Sequence, residues 1–520
     1  MRYCLPCGAL LLAGLMGVNA CSSDGSAGAD AGTDAMMNVP DGGSADGDGG
    51  TPDGGGGGRV PPSITPGATD RFLLRGTILA PAGPLVGELL VEGNSITCVA
   101  ASCSTQAGAT GATLITTSGI IMPGMIDAHN HGLFNIFDEG DWNPGKFYQN
   151  HNDWTSDVRY GQMLDAKQYL NSEITSPVDL RCEIDKYAEI KALIAGTTSF
   201  LLAGGAQQPA CYASLARTID TNRNDLGMDK VQTAISIPST TAAAQAICDN
   251  FADGSTNSFV VHVGEGLNAS ALNEWNTLKS RASGCLISPQ TAVVHGTAFG
   301  TAEFTEMATA NMKLVWSPKS NLFLYNDTAR IDLAIQAGLK TIALAPDWSL
   351  GGSVNLLDEL RTAAQVNKSK FNNLLTSKRL FEMVTIDAAR VLGVEAQIGS
   401  LEVGKRADIV LLAGDPQTPY DALIQSRPMD VELVMLDGRA LYGAPVLKPA
   451  APATPGCEEL PICQVSKFLC VAESSTADKL NQTYGDITQV LISNLAAYDA
   501  LVAPMSISPF SPLAPLLKCQ

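Results

Sequence analysis

Histidine is scarce in this chain, with five among 520 residues. A site built from several imidazoles must therefore draw on nearly all of them. Basic side chains are outnumbered as well: 33 Lys and Arg stand against 52 Asp and Glu, a formal net charge of −19. That balance argues against a nucleic-acid partner, which needs a basic surface. No internal apolar run is long enough to span a bilayer. None of the ten cysteines beyond Cys21 has the CxxC spacing of a zinc ribbon. The length suggests one large domain with attachments.

The chain opens like an export signal. Arg2 supplies a short positive start, residues 9–17 are apolar, and Val18-Asn19-Ala20 precede Cys21. This pattern resembles a bacterial lipoprotein cleavage site, which makes 1–20 a signal peptide and Cys21 the lipidated N-terminus. The alternative is an ordinary secretory signal. Ser22, not Asp, follows Cys21, which favours the outer membrane. Membrane contact is expected only through this lipid. Residues 21–70 are rich in Gly, Asp and Ser and read as a flexible tether, since they cannot bury enough apolar surface to offset chain entropy. The ten cysteines left after processing are an even number, which suits disulfides in an oxidising compartment. Local pairs such as Cys98–Cys103 and Cys248–Cys285 are plausible, the full connectivity is not fixed by the sequence, and free core thiols are the alternative for some.

Short strand-like runs at 71–118 are matched by runs at 395–447, and together they predict one small β-sandwich built from both flanks. Between them, residues 119–394 alternate apolar β-type runs with helical stretches. Strands are expected at 120–128, 197–203, 231–237, 259–263, 291–295, 313–317 and 341–345. An eighth is expected near 215–219, where Arg217 counts against it. Repeated β-then-α units of this number predict an α/β fold, a (β/α)₈ TIM barrel. An open doubly wound sheet is the alternative, but no GxGxxG follows the first strand. Residues 448–520 read as a Cys-containing extension pinned by disulfides.

Four of the five histidines fall at or just past the C-terminal ends of these strands, the face where such barrels carry their sites. His129 and His131 are two apart, so in extended backbone both point to one side and can reach one metal. Their context, Pro123-Gly124-Met125-Ile126-Asp127-Ala128-His129-Asn130-His131, resembles the PGxIDxHxH signature of the amidohydrolase superfamily. Gly399-Ser400-Leu401-Glu402-Val403-Gly404-Lys405-Arg406-Ala407-Asp408-Ile409-Val410 is similar to the GxLxxGxxADxV strand of the family's flanking sheet. The likeness covers about residues 71–445.

The resemblance implies a site. His129, His131 and His262 would hold the metal together with Asp347. Glu265, in a motif like HxxE, would be an acid/base, and His295 would touch the activated water or the substrate oxygen. Asn321, in a PxSN-like element, would brace its loop or meet substrate. Binuclear members carry a carboxylated Lys at the end of strand four; here 231–237 ends at Pro238, and Lys230 is at the wrong end. This favours the mononuclear deaminase and chlorohydrolase branch, with one divalent ion, zinc first and iron(II) second. His151 and Trp142 lie in an aromatic insertion after strand one that is expected to fold over the site and meet substrate; an exposed loop histidine is the alternative for His151. The implied function is hydrolysis of a non-peptide carbon–nitrogen bond in a small molecule. Dehalogenation or ester hydrolysis on the same site, or an inactive surface binding protein, are the competing readings.

Overall fold

Gly124 divides the long apolar run that the sequence presents as a single first strand. In the computed structural model, which describes residues 60–519 except 175, 203–207, 228–229 and 454, Ala112–Pro123 belongs to a flanking sheet and Met125–Asp127 to the barrel. A Cβ at Gly124 would stand 2.1 Å from the Thr198 hydroxyl. Only glycine lets the chain pass that close to the neighbouring strand as it changes sheets. The proposed signal peptide, Cys21 and all but the last residues of the tether lie outside the described residues.

Eight barrel strands follow in order: Met125–Asp127, Thr197–Phe200, Arg217–Thr218, Val231–Ala234, Ser258–Val263, Thr291–His295, Lys313–Trp316 and Ile342–Leu344. The first three pair in parallel, as do the last five. The circle closes between the eighth and first strands, where Asn130 bridges Asp347 and the His131 N–H donates to the Asp347 carbonyl at 2.6 Å. No ladder joins the third and fourth strands among the described residues. The fifth and sixth strands are buried at every residue, as a parallel sheet covered by helices requires.

The expected strand at 215–219 exists but is two residues long and third in order. Arg217 did not exclude it, because its charge is compensated from far away. Its guanidinium, 2% exposed, pairs with Asp408 and reaches Asp437 at 2.9 Å. Both acids belong to the flanking sheet, so this buried cluster ties sheet to barrel.

That flanking sheet has ten strands. Ile409–Leu412 pairs antiparallel with residues 120–123, which joins the two flanks into one ladder. The C-terminal extension adds to this sheet. Its hairpin, Glu458–Ile462 and Val465–Leu469, lengthens the same sheet through Arg439–Gly443. Helix Tyr484–Val502 then buries Ile487, Leu491, Leu495, Tyr498 and Val502, a single stripe at helical spacing. The stripe faces helix Arg181–Leu193. Beyond it a strap returns to the insertion after the first barrel strand. Phe510 is fully buried, 5.5 Å from the Phe137 ring and 3.8 Å under the Arg159 guanidinium.

The ten cysteines form five disulfides: Cys98–Cys103, Cys182–Cys211, Cys248–Cys285, Cys457–Cys470 and Cys463–Cys519. No helix among the described residues is long and apolar enough to cross a membrane.

Candidate metal centre

Strand ends deliver five side chains to one point at the C-terminal face of the barrel. His129 and His131 leave the first strand, His262 is the penultimate residue of the fifth, His295 ends the sixth, and Asp347 follows the eighth. The ligating atoms of His129, His131 and His262 all lie within 4.8 Å of one another, as do those of His129, His295 and Asp347. Asp347 Oδ1 is 3.1 Å from His129 Nε2 and 3.5 Å from His131 Nε2. His295 and Asp347 both adopt φ of 71°, a left-handed conformation unfavourable for a residue with a side chain. Strain of that kind, about 1–3 kcal/mol each, persists where surrounding structure enforces it, as it does at functional sites.

Each group is oriented by a neighbour. The His262 Nδ1 is 3.2 Å from the Ala234 carbonyl, which can only accept. Nδ1 therefore carries the proton, and Nε2 is left with its lone pair. Asp127 accepts from the His129 N–H at 3.1 Å and from Asn130 Nδ2 at 2.7 Å, which fixes the loop holding both histidines. The Ser320 hydroxyl donates to Asp347 Oδ2 at 2.5 Å.

A polar chain sets the His295 tautomer. The Trp316 indole N–H, which can only donate, meets the Thr328 hydroxyl at 2.7 Å. Thr328 then donates to Asn321 Oδ1 at 3.2 Å, leaving the Asn321 amide to donate to His295 Nδ1 at 3.1 Å. The remaining ring proton sits on Nε2, 3.7 Å from Glu265 Oε2. Asn321 is fully buried and thus braces His295; it does not line the cavity beside the histidines.

Glu265 stands between Gly264 and Gly266, both at positive φ. A Cβ at Gly264 would meet the Phe299 ring at 2.4 Å, and one at Gly266 would meet the Asn150 Cα at 2.6 Å. The Tyr325 hydroxyl donates to Glu265 Oε1 at 2.7 Å, and the Trp154 indole N–H donates to the Tyr325 oxygen at 2.8 Å. His151, half-buried, places Nδ1 3.3 Å from Glu274 and 3.9 Å from Glu265. Trp142 is corrected from a substrate contact to the core of the insertion. It is buried, its indole N–H donates to Asp157 at 3.2 Å, and its ring packs 5.3 Å from Tyr160. The aromatic beside the histidines is Trp348, 5.8 Å from His131.

Burial shapes the charges. It pushes the Glu265 carboxyl up to about 8, with the Asp347 charge adding to the effect. It lowers His131 to about 4 and His295 to about 3, and it holds His262 well below the usual imidazole range. Burial alone would raise Asp347 too, but the His129 hydrogen bond and the nearby imidazoles hold it far below the usual carboxylate range. At neutral pH His131, His262 and His295 are thus neutral nitrogen donors, Asp347 is a carboxylate, and the Glu265 carboxyl keeps its proton. Beside it lies a cavity of about 310 Å³, lined by His129, His131 and His262 with Leu201, Thr233 and Ile235. That volume suits a small molecule.

The motifs exposed the histidines, Glu265 and Asp347. They gave no role to Asp127, Tyr325, Trp154, Thr328 or Glu274. One signal was available: Asn321 and Tyr325 are four apart and share a face of helix Pro318–Tyr325.

Comparison with known proteins agrees with this geometry. Over 157 residues the chain is 31% identical to the 5-methylthioadenosine/S-adenosylhomocysteine deaminase of Desulforudis audaxviator, covering 28% of this chain and 36% of the relative. The chain thus matches about a third of that relative's length. It is 22% identical to the 5'-deoxyadenosine deaminase of Methanothermobacter thermautotrophicus over 72% of this chain and 93% of the relative. Among solved structures, the atrazine chlorohydrolase of Arthrobacter aurescens TC1, complexed with zinc, superposes with a TM-score of 0.56 at 18% identity over 74% of this chain and 97% of the other, a likeness of fold. The amidohydrolase family profile matches residues 120–441, more than half of the sequence, and the chain belongs to that family.

Proposed function

We propose that this chain is a metal-dependent hydrolase that removes an amino group from a small nitrogen heterocycle. One observation carries the reading. Four imidazoles and an ionised carboxylate converge on one point, with a protonated carboxyl, Glu265, on its flank. The donor set fits a single divalent cation, zinc first and iron(II) second, held by His129, His131, His262 and Asp347. When bound, such an ion supplies Lewis acidity and makes water a competent nucleophile near neutral pH.

The chain's own groups do the rest. Asp347 Oδ1 accepts the proton of the attacking water, while Ser320 holds its other oxygen. The His295 Nε2–H, fixed by Asn321, donates to the oxygen that enters at the attacked carbon. Glu265 delivers its proton to the ring nitrogen or the departing amine. His151 stands 3.9 Å from Glu265 and 3.3 Å from Glu274, beside the acid. The names of the relatives support adenine nucleosides as the first substrates to try.

The test is metal analysis joined to an ammonia-release screen of adenine nucleosides and aminated triazines. About one ion per chain and metal-dependent ammonia are expected. Halide or alcohol release without ammonia would move the assignment to dehalogenation or ester hydrolysis, and a stoichiometry near two would overturn the mononuclear centre.

Export and lipid attachment at Cys21 belong to the same proposal. Five disulfides support an oxidising compartment. Mass spectrometry of the mature N-terminus checks it: an unmodified start elsewhere refutes the anchor.

A further inference from the structure

A second cavity, of about 280 Å³, shares no lining residue with the one beside the histidines. Its walls are the loop after the eighth barrel strand, the start of helix Leu356–Lys370, and the chain end around Cys519. Four cationic side chains border it, Lys319, Arg361, Arg427 and Lys518, against two carboxylates, Glu139 and Asp358. Among the lining side chains the cations outnumber the carboxylates, while Asp138 and Asp430 stand just behind Lys518 and Arg427.

The carboxylates do not use up the cations. Lys319 is 3.8 Å from Glu139, and Lys518 is 3.7 Å from Asp138 and 4.0 Å from Glu139. These separations are beyond hydrogen-bond range. Arg361 is engaged by Asp358 and the Ser426 carbonyl. Arg427 donates its backbone N–H to Asp430 at 3.0 Å, and its guanidinium charge acts on Asp358 across the cavity. Burial, and then the charge of Arg427, pull the Arg361 guanidinium below its ordinary value against the opposing charges of Asp358 and Asp430.

Asn355 supplies the independent observation. Its Oδ1 accepts from the Asp358 N–H at 3.1 Å and caps the helix. A backbone N–H can only donate, so the oxygen of this amide is fixed toward the helix and its NH₂ is turned away. That nitrogen is buried and has no hydrogen-bond partner among the described residues, and Asn355 is one of the residues that line the cavity. A buried donor is costly to leave unpaired. It also sits at the N-terminus of a 15-residue helix, whose dipole favours negative charge.

We infer that this cavity is a binding site for a small oxyanion, a phosphate or carboxylate group, with the Asn355 amide as its neutral donor and Arg427, Lys319 and Lys518 as its charges. The Cys463–Cys519 disulfide anchors the segment that brings Lys518 to the rim. The inference does not depend on the reaction assigned to the histidine site.

Calorimetric titration of the metal-loaded full chain with inorganic phosphate, and separately with succinate, at constant ionic strength, tests the assignment. Saturable binding of either probe at one site per chain is expected. Phosphate alone identifies a phosphate-bearing ligand, and succinate alone a carboxylate. Asn355→Asp keeps the capping oxygen but puts negative charge where the donor stood. Losing one bond to a charged group should weaken binding about ten- to hundredfold. Lys518→Gln, near the chain end, should also weaken binding and decides the matter if Asn355→Asp does not fold. No binding of either probe to the native protein, or native affinity in Lys518→Gln and in a folded Asn355→Asp, overturns the site.

Discussion

Replacing Tyr325 by Phe should shift the pH dependence of the reaction upward. The Tyr325 hydroxyl donates to Glu265 Oε1, and because the Trp154 indole can only donate to the Tyr325 oxygen, the direction of that bond is fixed. The bond favours the carboxylate and so opposes the burial that pushes Glu265 to about 8. Phe keeps the ring and removes only the hydroxyl. A hydrogen bond to a charged group is worth about 1.5–3 kcal/mol, and a pKa unit corresponds to about 1.4 kcal/mol. Glu265 should therefore rise by roughly one to two units. As a proton donor it is competent below its pKa and lost above it, so the native rate should fall as pH passes about 8, or somewhat lower once a bound cation favours the carboxylate. In Tyr325→Phe the falling limb should move up by roughly one to two units. The assay is kcat/KM for ammonia release against pH, with metal content measured on the same samples. The orphaned Trp154 N–H should also cost about 1–3 kcal/mol of stability. A limb that stays in place or moves down, with the metal intact, would refute Glu265 as the acid or Tyr325 as its donor.

Glu265→Gln should keep fold and metal while turnover falls by about 10²–10⁴, the usual worth of a positioned acid; loss of the metal would make Glu265 a ligand. His262→Ala should reduce the ion from about one per chain toward none together with activity, as read by elemental analysis. Arg217→Ala strips the buried partner from Asp408, leaves Asp437 only Arg406 at 3.5 Å, and should cost about 3–5 kcal/mol in denaturant unfolding; a change within about 0.5 kcal/mol would mean the cluster contributes nothing.

The histidines were legible because backbone geometry makes them so. A strand presents residues two apart to one side, and barrel sites sit at one end of the strands. The same logic found the fifth and sixth strands, whose β-branched runs are buried throughout. Arg217 was misleading for a physical reason. A charge in an apolar run argues against burial unless its partner is known, and Asp408 stands 191 residues away. Gly124 lies within the histidine motif, yet a single glycine does not announce that a chain leaves one sheet for another. Trp142 was expected to meet substrate, whereas Trp154, in the same insertion, is the tryptophan that reaches the site's acid through Tyr325. One packs into the insertion and the other supports the acid, a difference fixed by contacts to Tyr325 far along the chain. The cavity at Asn355 draws its charges from four separated segments, so no local pattern marks it.

The pairing of residues 120–123 with Ile409–Leu412 bears on how the protein is made. Strand Ala112–Pro123 emerges from the ribosome with one edge open, and its partner is about 290 residues behind it, roughly 15–60 s at ordinary rates of synthesis. During that interval the first strands cannot complete their ladder, and the barrel cannot be tied to the sheet by Arg217 and Asp408. A chain whose ends must meet before its middle is secured folds late and slowly, since distant contacts come at a high entropic cost. Truncation before residue 412 should therefore leave an aggregation-prone chain with an unpaired strand edge, not a smaller stable barrel.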